Sequence, residues 1–86
     1  MAVVIRKDLA YRRVAGELFV VDAAASRLHQ LNGPAALIWE GLAAGRSESR
    51  ILADLRREFE VDEEQARADI ADFIGKLSKA GLTGDR

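Results

Sequence analysis

ELFVVDAAASRLHQLNGPAALIWEGLAAG, Glu17 to Gly45, changes its hydrophobic period at Asn32, and that change decides the fold. Up to Leu31 the apolar residues fall in short groups: Leu9/Tyr11/Val14, then Leu18/Phe19/Val20/Val21, then Leu28/Leu31. Ala15-Gly16 and Ala23 to Ser26 separate them, so three short strands joined by two turns fit the pattern. Phe19-Val20-Val21 is aromatic and β-branched without polar alternation, which predicts a central strand covered on both faces. After Asn32 the spacing becomes three and four, with Leu37, Ile38 and Leu42 on one helix face. Asn32 as cap, an early Pro34 and Gly45 past the end bracket that helix.

Two more helices follow. One runs from about Ser47, its N-cap, to Phe59, with Ile51, Leu52, Leu55 and Phe59 as an apolar stripe. The other opens at Asp62, where Asp62 and Gln65 have capping-box spacing and Val61 can staple onto Ala66, continues through Ile70, Phe73, Ile74 and Leu77, and stops at Gly81. Three helical stripes and one sheet face can close a single core. The expected fold is therefore α+β, winged helix-turn-helix-like, a three-stranded antiparallel sheet followed by three α-helices. One domain is expected over 1–86, with its ordered core at about 9–82.

Composition narrows the chemistry. The chain has 86 residues, 49% hydrophobic and 31% charged, with no Cys, one His and 13 Lys and Arg against 14 Asp and Glu. A chain this size buries about 60 to 65% of its extended surface, enough for one core and not two. No apolar run approaches the roughly 20 residues of a spanning helix. Met1 to Asp8 lacks the features of a secretory signal, so a cytoplasmic protein without a membrane segment is expected. Without Cys and with only His29, thiolate chemistry and zinc or iron-sulfur sites are excluded, and no cofactor is expected.

Individual constellations point away from catalysis. His29 has no nucleophile pattern around it and fits a half-buried strand position. Glu63/Glu64 and Asp69/Asp72 are ordinary solvating charges on a helix surface. The glycines have no phosphate-binding spacing, and Trp39 fits a core or partner contact. The second and third helices do have helix-turn-helix spacing, so a winged-helix DNA-binding transcriptional regulator is the alternative. Against it, the third helix carries Asp62, Glu63, Glu64, Asp69 and Asp72 against Arg67, Lys76 and Lys79, and DNA would repel that end. Bases concentrate in the strands instead, at Arg6, Lys7, Arg12, Arg13 and Arg27, where an acidic peptide could dock.

The most informative feature is a strand with little protection. In a meander centred on Glu17 to Asp22, the segment Arg27, Leu28, His29, Gln30 and Leu31 is an edge without the Lys, Pro or bulge that usually blunts one. An amphipathic third helix beside it would leave a groove that accepts an extended peptide by strand addition. About four backbone hydrogen bonds at roughly 1 kcal/mol and two or three apolar anchors at roughly 1.5 to 3 kcal/mol give on the order of 8 to 12 kcal/mol. Ordering the peptide removes roughly 2 to 5 kcal/mol, which leaves high-micromolar to near-micromolar affinity. Arg27 and Arg67 are candidates for a further charge pair. The same bare edge could pair with a second copy, giving a homodimer.

The order and spacing of Leu31-Asn32, Ala35-Ala36, Ile38-Trp39, Phe59, Phe73-Ile74, Leu77 and Gly81-Leu82 resemble the PqqD-like proteins, the pyrroloquinoline quinone biosynthesis protein D family. The likeness spans roughly Leu9 to Leu82. It implies a non-catalytic peptide-recognition element that binds the leader of a ribosomally made precursor between the third strand and the third helix. The bound precursor would be presented to a modifying enzyme, a radical SAM protein or a leader peptidase. By this resemblance the groove maps onto Arg27 to Leu31 and onto Glu63, Arg67, Ile70, Ala71 and Ile74.

Overall fold

The structure, a computed structural model, describes residues 4–84; the ends of the expected domain, 1–3 and 85–86, lie outside it. The chain forms β1 (Ala10–Val14), β2 (Glu17–Asp22), β3 (Arg27–Leu31), α1 (Gly33–Ala43), α2 (Glu48–Phe59) and α3 (Glu63–Lys79). The strands make one antiparallel sheet in the order β1-β2-β3, so the α+β architecture is the expected one.

Two turns set the sheet. Ala15 (φ 54°) and Gly16 (φ 84°) both have positive φ between Val14 and Glu17, the signature of a type I′ hairpin turn. Ala23 to Ser26 close the second hairpin, with the Ser26 amide donating to the Ala23 carbonyl at 3.2 Å. Each helix starts on the residue the sequence nominates. Asn32 Oδ1 accepts from the Ala35 amide at 3.1 Å, Ser47 Oγ from Arg50 at 3.1 Å and Asp62 Oδ1 from Gln65 at 2.8 Å. The return half of the expected capping box is not made, because the Gln65 side chain donates forward to Asp69 at 2.8 Å.

The core lies between the inner sheet face and the helices. Leu18 and Val20 of β2 meet Ala36, Ile38, Trp39 and Leu42 of α1, and Leu9, Ile51, Leu55, Ala66, Ile70, Phe73, Leu77 and Leu82 complete it. Trp39 is fully buried and stands edge-on to Tyr11, ring centroids 5.5 Å apart at 78°. Only α1 reaches the sheet: no Cα of α2 or α3 lies within 8 Å of a Cα in the three strands. The expectation that β2 is covered on both faces is corrected here. Val21 is 43% exposed and Phe19 only half-buried, because all three helices pack on the Leu18/Val20 side.

Ordered pairing reaches both ends of the described chain. The Arg6 amide donates to the Leu82 carbonyl at 3.1 Å and the Gly84 amide to Val4 at 2.7 Å, around an Ile5–Thr83 bridge. At Gly41 of α1 the helices come close, and an added Cβ would stand 2.6 Å from Ile51 Cγ1 in α2. Gly41→Ala is therefore expected to cost about 1–3 kcal/mol by overpacking, read as a lower urea midpoint at unchanged slope.

Candidate peptide-binding groove

The turn at Ala15-Gly16 determines which backbone groups of β3 are unpaired. A two-residue I′ turn makes Val14 and Glu17 a hydrogen-bonded pair, and bonding direction alternates along each strand. With Leu18 opposite Leu31, Val20 opposite His29 and Asp22 opposite Arg27, the N–H and C=O groups of Leu31, His29 and Arg27 turn toward β2. Those of Leu28 and Gln30 turn outward, and no backbone group of the described residues bonds to them. The edge therefore offers two donors and two acceptors. On β1 the same alternation turns Tyr11 and Arg13 outward, but Arg12 and Arg13 guard that edge with charge.

The pleat divides the strand between two faces. Arg27, His29 and Leu31 share the inner face with Val20, and His29 and Leu31 are half-buried. His29 Nε2 is enclosed and has no hydrogen-bond partner among the described residues. Leu28, 65% exposed, and Gln30 belong to the outer face, where Gln30 donates to Glu17.

Across from β3, α3 stands apart, since none of its Cα atoms comes within 8 Å of a β3 Cα. A cleft of about 250 Å³ opens where β3 runs into α1, between Asn32, Pro34, Ala35 and Ile38 on one side and Asp69, Asp72, Phe73 and Lys76 of α3 on the other. The helix residues assigned by resemblance stand elsewhere. Ile70 is 1% exposed and belongs to the core. By helical spacing Glu63, Arg67, Ala71 and Ile74 occupy the opposite flank of α3 from Asp69, Asp72 and Lys76. Arg56 of α2 approaches Glu63 at 3.9 Å, and Glu63 also receives Arg67 at 2.8 Å. The flank turned to the end of β3 is thus one stripe away from the expected one. A core phase read from Ala66, Ile70, Phe73 and Leu77 together would have shown both flanks, but not which one meets α1.

The basic residues of the strands are likewise not all available to an acidic peptide. Arg6 donates to Asp8 at 2.6 Å and 3.0 Å, to Asp22 at 3.0 Å and 3.2 Å and to the Gly81 carbonyl at 2.9 Å. Arg13 forks onto Glu40 at 2.7 Å and 3.0 Å. The Arg6 guanidinium joins the end of β2 to the chain just past α3, so it ties together the two sides of the groove at the end remote from the cleft. Arg57 at 2.7 Å and Arg50 at 3.4 Å from α2 itself, and Arg46 at 3.7 Å from the segment before it, converge on Asp54, which is buried. Burial raises the Asp54 carboxyl, but Arg57 and Arg50 outweigh it and hold the group below the usual carboxylate range.

Among the described residues no cluster of His, Asp or Glu could hold a metal ion, and no helix is long and apolar enough to cross a membrane.

Three strands closed by three helices, with one strand edge bare and α3 set apart from it, define an α+β domain. This chain belongs to the PqqD family: the pattern of that family, described as coenzyme PQQ synthesis protein D, matches residues 17–82. Among solved structures it is similar to TbiB1 in complex with the TbiA(beta) leader peptide, at 19% identity and a TM-score of 0.86, covering 96% of each chain. It is also similar to a lasso peptide synthetase B1 complexed with the leader peptide, at 26% identity and a TM-score of 0.86, covering 99% of this chain and 100% of that one. No curated protein matches the chain.

Hydrogen bonds from Arg6 hold the Asp22 carboxyl below its usual range against the opposing effect of burial. A depressed native-state value stabilises the fold above the unfolded value of about 4, and that contribution is lost as pH falls through the native value. Asp22→Asn is therefore expected to lower the urea midpoint at pH 7, with the difference from wild type shrinking below about pH 4.

Proposed function

We propose that the protein is a non-catalytic adaptor of ribosomal peptide biosynthesis. It binds the leader of a precursor peptide as a fourth strand on β3 and presents it to a modifying enzyme, a radical SAM protein or a leader peptidase, in the cytoplasm where the precursor is made. The observation that carries this is the outward N–H and C=O pair on each of Leu28 and Gln30, beside an α3 whose Cα atoms all lie more than 8 Å from those of β3. Family membership and the likeness to leader-peptide complexes support it.

In this assignment the leader's inward side chains lie beside His29 and Leu31 and run toward the cleft walled by Asp69, Asp72, Phe73 and Lys76. Arg27, at the open end of the strand, has no ion pair among the described residues and is the candidate charge contact. Arg67, already forked onto Glu63, is a weaker one. No bound cofactor is invoked. The acidic opening of α3 and the engagement of the α2 arginines by Asp54 give DNA binding no support.

Calorimetric titration of the precursor leader tests the assignment. Leu28→Pro and Gln30→Pro each remove one edge donor without touching the β2 ladder, and each is expected to weaken leader binding by about 1–3 kcal/mol. Tyr11→Pro, on the other edge, should leave affinity unchanged. Absence of heat with wild type at tens of micromolar protein, or equal affinity for all variants, contradicts the assignment. Sedimentation of the unliganded protein shows whether a second copy competes for the same edge.

A further inference from the structure

The outer face of the sheet is used by neither the core nor the groove cleft. Ala10, Val21 and Leu28 form one row across it, Arg12, Phe19 and Gln30 the next, and Val14 and Glu17 the last. Val14 is 48%, Val21 43% and Leu28 65% exposed. A shallow cleft of about 190 Å³ lies over β1 and β2 between Val14, Phe19, Val21 and Arg12. Adjacent apolar side chains held on a rigid sheet make a contiguous patch, the kind of surface that marks a protein interaction site.

Arg12 sits inside this patch and has no hydrogen bond or ion pair among the described residues, unlike Arg6 and Arg13 in the same region. Covering it requires a carboxylate, because a buried unpaired guanidinium costs several kcal/mol. A second copy brings one carboxylate on this face, that of Glu17, which lies in the outermost row and already receives Gln30. The patch also spans only three strands of five or six residues, on the order of a few hundred Å², well short of the roughly 800 Å² per partner of a stable interface. Small area and an unmatched cation together suit a transient partner of different composition.

We propose that the outer sheet face docks the modifying enzyme, through a surface patch of that enzyme in which apolar side chains surround a carboxylate aligned with Arg12. This rests on the adaptor assignment and adds the enzyme's side of it. The leader occupies the edge and inner side of β3 while the enzyme sits over Val14, Phe19 and Val21. The two partners therefore meet the domain on separate surfaces, joined at Leu28 and Gln30.

The test uses the purified radical SAM protein or leader peptidase that acts on the bound precursor, immobilised for interferometry, with Arg12→Glu, Arg12→Lys and Val21→Asp variants of the full chain. All three substitutions fall on exposed positions, and circular dichroism with leader calorimetry checks each fold. Arg12→Glu and Val21→Asp are expected to weaken enzyme binding roughly tenfold or more, as at a hot spot, while leader affinity stays within about twofold. Arg12→Lys should retain most of the enzyme affinity, and binding should weaken as salt rises. Unchanged enzyme affinity in both disruptive variants overturns the proposal, as does a concentration-dependent dimer of wild type that Val21→Asp abolishes. Failure of wild type to bind leader overturns the adaptor assignment instead, and with it this extension.

Discussion

A two-residue turn governs what the opposite edge of the sheet can do. Ala15 and Gly16, both at positive φ, fix Val14 and Glu17 as a bonded pair. From that pair the alternation runs across β2 to β3, where Leu28 and Gln30 are left facing outward. A one-residue slip would turn His29 outward instead and exchange the inner and outer side chains of the strand. The bare edge is thus specified by that turn together with the register of β3 on β2, and β2, with Leu18 and Val20 buried against α1, holds the phase rigid.

The second requirement is space beside the edge, and α1 supplies it. As the one helix that reaches the sheet, α1 keeps α3 at a distance while packing against it through the core. Arg6 closes the remote end of the same gap by bonding Asp22 and the Gly81 carbonyl with one guanidinium. A guanidinium presents five donors in a fixed plane, so it can hold two elements in one geometry where a Lys would act as a point charge. Groove width is then set by a hydrophobic wedge at one end and a charged tie at the other.

Much of this was legible in the sequence because the signals were local. Period, caps and turn residues located all six elements, and an edge strand without Lys or Pro was visible at Arg27 to Leu31 before any coordinates. What was not legible depends on tertiary phase. Phe19-Val20-Val21 reads as a doubly covered strand, yet only the Leu18/Val20 side meets helices; an apolar run cannot say which face is left for another molecule. Helical periodicity identifies the core stripe of α3 but not which of its flanks, Asp69/Asp72/Lys76 or Glu63/Arg67/Ala71, turns toward the end of β3. Arg6 and Asp22 lie 16 positions apart in sequence, and no spacing rule joins them. Asp54 does have Arg50 and Arg57 at helical i,i+4 and i,i+3 spacing, but that spacing does not reveal its burial.

Amide hydrogen exchange at single-residue resolution, with and without leader, tests the bare edge most directly. In the unliganded protein the amides of Leu28 and Gln30 should exchange fast and those of His29 slowly. Leader should protect Leu28 and Gln30 while leaving Tyr11 and Arg13 on the other edge unchanged. Leader that binds without protecting Leu28 and Gln30, or amides there that are already slow in the unliganded protein, would contradict the account.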